Sequence, residues 1–394
     1  MLLSNSKYCT VFAVLYGFGV NMKTIKTELP KLKLLYPLSQ LADISKTLFL
    51  DIETTGFTAR GSSLYLIGCI YHKNDSFHLI QWFADNYDDE LNVLTSFFSF
   101  SKNYSFLIHF NGNNFDIPYL QQKADQYHLT DTFDHFNAID LYRRISPYKE
   151  FLKLPNCKQK TIETFLHIDR KDTYHGGELI RVYHTYVQSP DSRNLQLLLL
   201  HNREDIQGLI ALLPVLAYCD LFHNTIRVIK VQANYYTDYN GQKKQEILMK
   251  LRFLNPLPVA ISQSINHCYF TGYDREGTLK VPLYEEELKY FYSNYKDYYY
   301  LPIEDNAVHR SVAHFVDKDH RLKATAATCY TRKQASYLPQ WDILFEPFFK
   351  KEYRSKELFF ELTDAFKRQR GDFSNYANHV LQMMVKSVNK PLLD

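Results

Sequence analysis

The segment TLFLDIETTGF at residues 47–57 restricts the fold more than any other. A β-prone apolar run leads into an acid, one apolar residue, a second acid and a Thr-Thr-Gly break. In a strand, residues i and i+2 point to the same face. Asp51 and Glu53 therefore sit together on one side of a sheet, where two carboxylates repel unless something positive lies between them. The apolar run before them argues against a solvated strand. The pattern predicts a buried strand whose end forms one wall of a divalent-metal site.

Further strands are expected at 63–72, 76–84 and 104–110, the first two joined by the turn KND. Helical spacing follows an acidic start over 88–100, and FDIPYL opens another helix with Pro118 in its first turn. KTIETFLHI, GELIRVYHTYV and a long helix over 194–219, kinked around Leu213 and Pro214, complete the run. Strands that meander and then alternate with helices predict a three-layer α/β domain. Beyond Cys219 the texture changes: a hairpin is expected at Asn240-Gly241, then a Tyr-dense stretch, then two closing helices near 355–369 and 373–388. The expected organisation is an N-terminal extension and leader over 1–45, an α/β domain over 46–220 and a smaller accessory α+β domain over 221–394.

Asp116 lies just after a strand and the polar loop NGNN, and Asp205 lies four residues after His201. Positions i and i+4 share a helix face, so His201 and Asp205 look at the same site. Four carboxylates and a histidine are the donor set for two hard cations, and oxygen ligands suit Mg²⁺ or Mn²⁺. Two such ions can activate a water and stabilise the leaving oxygen of a phosphodiester.

FLDIETTG, HFNGNNFDIPYL and HNREDIQGL resemble the three exonuclease motifs of the DEDD superfamily. Within it, the chain resembles the YprB-type ribonuclease-H-like family, which also carries Asp140-Leu141 after a strand, Thr161 to Glu163 at a helix start and Gly176 to Glu178. The resemblance covers residues 46–219. It implies a ribonuclease-H-like mixed sheet with flanking helices and metal ligands Asp51, Glu53, Asp116 and Asp205. It further implies that Asp51 bridges both ions, that Glu53 orients the attacking water, and that digestion runs 3′ to 5′. His201 is the candidate general base or water-positioning group, although it stands where one branch of the superfamily has tyrosine and another places its histidine one residue earlier.

Asp140 is a candidate for orienting a ligand or a cationic side chain, with capping of LYRRI as the alternative, and Asn111 for touching substrate. Asn111 and Asn114 are expected to shape the loop in which Gly112 supplies a positive φ. Arg143, Arg144, Lys158 and Lys160 are candidates for a phosphate path, a solvated basic surface being the alternative. In the second half, ATAATCYTRKQASYLPQW sets Arg332 and Lys333 among Tyr330, Tyr337 and Trp341, which suits single-stranded nucleic acid; an ordinary aromatic-rich core is the alternative.

Six scattered cysteines without a C-x-x-C pair exclude a zinc ribbon and a disulfide framework, and point to a reducing cytoplasm. The apolar stretch after Lys7, about twelve residues, is shorter than the roughly 20 that span a bilayer. Its basic flank is thin and no small-x-small cleavage site follows, so a dispensable extension is expected rather than a signal peptide, with Met22 as a second plausible start. Residues 220–394 carry 25 Lys+Arg against 21 Asp+Glu within a net charge of +3, which permits a polyanionic partner without requiring one. The expected protein is a cytoplasmic, metal-dependent 3′-to-5′ exonuclease acting on nucleic acid, with a C-terminal domain that holds substrate or recruits a protein partner. The alternatives are a nucleic-acid-binding module with little catalysis and a structure-selective endonuclease.

Overall fold

The structure, a computed structural model, describes residues 13–15, 22–169, 176–223, 225–238 and 240–389. The extension expected over the first 21 residues, Cys9 included, otherwise lies outside the described residues. The chain divides into two compact units, Met1–Lys149 with Lys153–Leu216, and Glu150–Leu152 with Ala217–Asp394.

The first unit is built on seven strands: β1 (Ala13–Leu15), β2 (Lys23–Leu29), β3 (Thr47–Thr54), β4 (Leu64–Lys73), β5 (Ser76–Phe83), β6 (Phe106–His109) and β7 (Asn137–Asp140). Their spatial order is β1-β2-β5-β4-β3-β6-β7. β3 pairs antiparallel with β4 and parallel with β6, so it lies inside the sheet. Leu48, Phe49 and Leu50 are accordingly buried. Residues 23–29, expected as leader, instead add a strand alongside β5, from Lys23↔Phe83 to Leu29↔Phe77. The physical reason is period-2 patterning: Ile25, Thr27 and Leu29 are buried while Lys26 and Glu28 are exposed.

Two adjacent residues of β5 show the three layers. Gln81 Nε2 donates to the Leu199 carbonyl at 2.9 Å, on the long helix over 192–212. Trp82, pointing the other way, packs edge-on against Phe97 and Phe100 of α1 (Glu90–Ser101). Helices therefore cover both faces. Between these two come α2 (Asp116–Gln126), α3 (Leu141–Ile145), α4 (Gln159–Phe165) and α5 (Gly176–Gln188). The long helix, α6 (Ser192–Leu212), gives way at Pro214 to a short 3₁₀ turn and then α7 (Leu216–Asp220), the break that a proline imposes.

In the second unit, β8 (Arg227–Thr237), β9 (Lys243–Ile265) and β10 (Cys268–Phe291) form a long antiparallel ribbon, with a tight turn at Asn240-Gly241 where Gly241 has φ 80°. β11 (Tyr298–Leu301), β12 (Asn306–His309) and β13 (Leu322–Lys323) make a small separate sheet, with α8 (Arg310–Ala313) after β12. β14 (Tyr330–Gln340), β15 (Phe348–Phe349) and β16 (Leu358–Glu361) extend the ribbon to six strands. The helix expected near 355–369 is split: Leu358–Glu361 form β16, and only α9 (Asp364–Arg368) is helical. Leu358, Phe359 and Phe360 pair with Gln340, Pro339 and Leu338, and tertiary pairing decides the conformation of an apolar run too short to show a period. α10 (Arg370–Val388) buries Tyr376, Val380, Leu381 and Met384.

The cation-aromatic segment singled out in this half is structural. Tyr337 is fully buried and Tyr330 nearly so, Arg332 pairs with Glu287 at 3.0 Å, and Lys333 pairs with Glu361 at 2.6 Å. Rings that fill a core are closed to bases, so Tyr330 and Tyr337 follow the aromatic-core alternative, while Trp341 is half-buried. No helix of the described residues is long and apolar enough to cross a membrane.

Candidate metal centre

Residues far apart in sequence meet at the C-terminal end of β3. His201 Nε2 lies 3.2 Å from Asp205 Oδ2 and 3.7 Å from Glu53 Oε1. One ligand atom from each of Glu53, His201 and Asp205 falls within 4.8 Å of the others. Asp51 adjoins this trio: burial first, then repulsion from Asp205, Glu53 and Asp116, push its carboxyl well above the usual range. Asp116, 7% exposed at the start of α2, is raised to about 7. There burial outweighs the backbone N–H groups of Asp116 and Ile52 that favour the charged form, and Asp140 adds repulsion. Asp51 thus faces Glu53, Asp116 and Asp205, and the imidazole lies beside Glu53 and Asp205. Close-set acids, with Asp51 and Asp116 resisting ionisation, are the donor set a divalent cation relieves, and the residues present fit such an ion.

The helix carrying His201 and Asp205 is seated by residues that sequence patterning passed over. Asp51, Gly68 and Gln81 form one cross-strand row over β3, β4 and β5. Asn202, fully buried, bridges the row: its Nδ2 donates to Asp51 Oδ2 at 2.8 Å, and its Oδ1 accepts from Gln81 Nε2 at 2.9 Å. A Cβ on Gly68 would overlap Asn202 Oδ1 and Ile206 Cδ1. The available signal was Asn202 standing between Leu198 and Ile206 on the buried stripe of α6. Gly68→Ala is expected to cost about 1–3 kcal/mol by overpacking and to loosen Asn202 from Asp51. Chemical denaturation and metal titration of the variant measure the two effects.

The NGNN loop is held from beneath. The positive φ falls on Asn111, at 61°, rather than on Gly112. Gly112 is required for a different reason: a Cβ there would stand 2.7 Å from the ring of buried His109, whose Nδ1 accepts the Gly112 N–H at 3.0 Å. Burial holds His109 down at about 4, so its ring is neutral. Asp140 Oδ1 accepts the N–H groups of Asn111 (2.9 Å), Tyr142 (3.0 Å) and Arg143 (3.4 Å). Asp140 therefore caps α3 and pins the turn that leads into Asp116.

Asn111 Oδ1 accepts from Asn114 Nδ2 at 2.7 Å, and Asn114 Oδ1 lies 3.5 Å from Arg143 Nη2. Arg143, Arg144, Lys158 and Lys160 are solvent-facing. Phe57, four residues after Glu53, was not singled out in the sequence. It is 90% exposed and meets Phe115, the residue before Asp116, edge-on at 6.4 Å.

Residues 48–217 match the model of the RNase_H_2 family, of the RNase H superfamily. That segment is an RNase H-like domain. No curated protein matches the chain. Among solved structures, a family B DNA polymerase from the archaeon Pyrobaculum calidifontis is similar at 15% identity and TM-score 0.37, over 45% of this chain and 25% of that one. The zinc-bound complex of E. coli ExoI with single-stranded DNA is similar at 12% identity and TM-score 0.29, over 54% of this chain and 55% of that one. A product-bound exonuclease I is similar at 11% identity and TM-score 0.31, over 88% and 73%. This chain thus spans a quarter of the polymerase and about half of the ExoI chain, and similarity this distant does not reach to activity.

Proposed function

We propose that the RNase H-like domain is a metal-dependent nuclease, a 3′-to-5′ exonuclease of the DEDD type. The observation that supports the reading is that Asp51 faces Glu53, Asp116 and Asp205 at the cost of repulsion, with His201 beside Glu53 and Asp205. The polarity of digestion rests on the motif resemblance alone.

Asp51, Glu53, Asp116 and Asp205 would hold two divalent cations, Mg²⁺ or Mn²⁺, which supply water activation and charge neutralisation at the phosphodiester when bound. Glu53 orients the attacking water, and His201, whose Nε2 lies 3.2 Å from Asp205 Oδ2, is the candidate general base or the group that positions that water. The water oxygen bonds to phosphorus, the bond from phosphorus to the 3′-oxygen breaks, and a nucleoside 5′-monophosphate leaves. Phe57 offers its exposed ring to the terminal base, an interaction worth about 1–3 kcal/mol in single-strand binders. The Asn111-Asn114-Arg143 chain offers donors beside Asp116.

The test incubates the full chain with end-labelled single-stranded DNA or RNA, in Mg²⁺, Mn²⁺ or EDTA, beside Asp51→Ala/Glu53→Ala. Metal-dependent shortening from the 3′ end, absent in the variant, is expected, and the better substrate names the polymer. Cleavage of circular substrate would assign an endonuclease instead. Binding without cleavage in every metal would leave a nucleic-acid-binding module.

A further inference from the structure

The solvent face of the β8–β9 ribbon sets like charges directly opposite one another twice in succession. The register pairs Arg227 with Arg252 and Lys230 with Lys250. All four residues are exposed, while Val228 and Leu251, the pair between them, are buried on the other face. Like charges opposed across strands destabilise a sheet. One lysine suffices to protect an edge strand such as β8 from mispairing. Four cations in two opposed rows exceed that need.

Counter-charge on this face is incomplete. Arg252 meets Glu276 at 3.1 Å, and Lys250 donates only to the Thr278 hydroxyl at 2.9 Å. Arg227 and Lys230 have no ion pair among the described residues. β9 and β10 shift register between Gly272 and Glu276, and beside the shift lies a groove of about 730 Å³. Ile229, Lys250, Thr278, Tyr273, Asp274 and Glu276 are among the residues that line it, with Ile229 46% and Tyr273 61% exposed, and Glu276 is the partner of Arg252. A cationic stripe beside an exposed phenol ring and an exposed aliphatic side chain complements a chain that alternates phosphates with flat bases.

We propose that this face is a second nucleic-acid site, binding the phosphodiester backbone of a single strand through Arg227, Lys230, Lys250 and Arg252, with a base on Tyr273. The choice of polyanion rests on the nuclease reading; the site itself rests on the register and the groove. A second grip raises the effective concentration of substrate for the chain that cleaves it.

The experiment measures binding of a labelled oligothymidylate to the full chain in EDTA, across a salt series, for wild type and Lys230→Gln/Lys250→Gln. Loss of two phosphate contacts should make the slope of log affinity against log salt shallower by about 1.4 and weaken binding about tenfold at low salt. The melting temperature should hold or rise, because opposed like charges have been removed. Tyr273→Ala should weaken binding without altering the slope. An unchanged affinity and slope in the lysine variant overturns the site while leaving the nuclease reading intact. A wild type that binds in this way but never cleaves does the reverse.

Discussion

Lys123→Met is expected to destabilise the first unit by about 3–5 kcal/mol, the typical cost of leaving a buried charge uncompensated. Lys123 and Glu90 are each 4% exposed, on α2 and α1, with Nζ 2.8 Å from Glu90 Oε1. Glu90 also accepts from the Leu64 N–H at 2.6 Å and the Tyr127 hydroxyl at 2.7 Å, and Lys123 donates to the Ser62 carbonyl at 2.6 Å. With the cation gone, a carboxylate remains in the interior and the loop over 55–63 loses its anchor. Glu90→Gln/Lys123→Met should recover most of the loss, since an amide oxygen can still accept from Leu64. Urea denaturation of both variants decides the matter: a single variant as stable as wild type would show that the pair carries no net structural weight. The same loop presents Phe57, so the single variant should also bind oligonucleotide more weakly.

Asp51→Asn is expected to move stability and activity in opposite directions. Asp51 is held well above the ordinary carboxylate range by burial and by its acidic neighbours, so the charged form opposes folding when no cation is present. Removing that charge should stabilise the metal-free protein, while cleavage falls by at least about 10³-fold, or roughly 4 kcal/mol of barrier. Asp116 sets the sign of the pH dependence. Its folded value of about 7 lies above its ordinary 3.8. Between these values folded Asp116 binds more protons than unfolded Asp116, so its contribution to stability in EDTA is fully present below about pH 4 and is lost as pH rises through 7; His109, held at about 4, contributes with the opposite sign between pH 4 and its ordinary 6.5. Mg²⁺ should reverse the trend, raising the melting temperature more at pH 8 than at pH 6, because its ligands must be deprotonated. A Mg²⁺ stabilisation no larger at pH 8 than at pH 6, or an Asn variant less stable than wild type in EDTA, would contradict the account.

What local sequence could announce, it announced through period and chemistry. The alternation and apolar run of 47–53 are visible to any reader of the chain, as is the four-residue spacing of His201 and Asp205, because strand and helix geometry follow from a few neighbouring residues. Three-layer packing followed from the alternation of strands with helical patterns. Other features depend on partners remote in sequence. β2 belongs to the sheet because β5 offers it an edge, and 358–361 is a strand because β14 lies beside it. Asn202 acquires meaning only when Gly68 leaves room for it to reach Asp51. The positive φ sits on Asn111 because Asp140 and His109 hold the backbone N–H groups of that turn from beneath. Tyr330 and Tyr337 were drawn into the core, whereas the opposed cations of β8 and β9 became visible only once register placed them side by side. Composition and spacing determine which elements form and which acids stand ready; the tertiary pairing decides which of them meet, because burial and repulsion act through space and not along the chain.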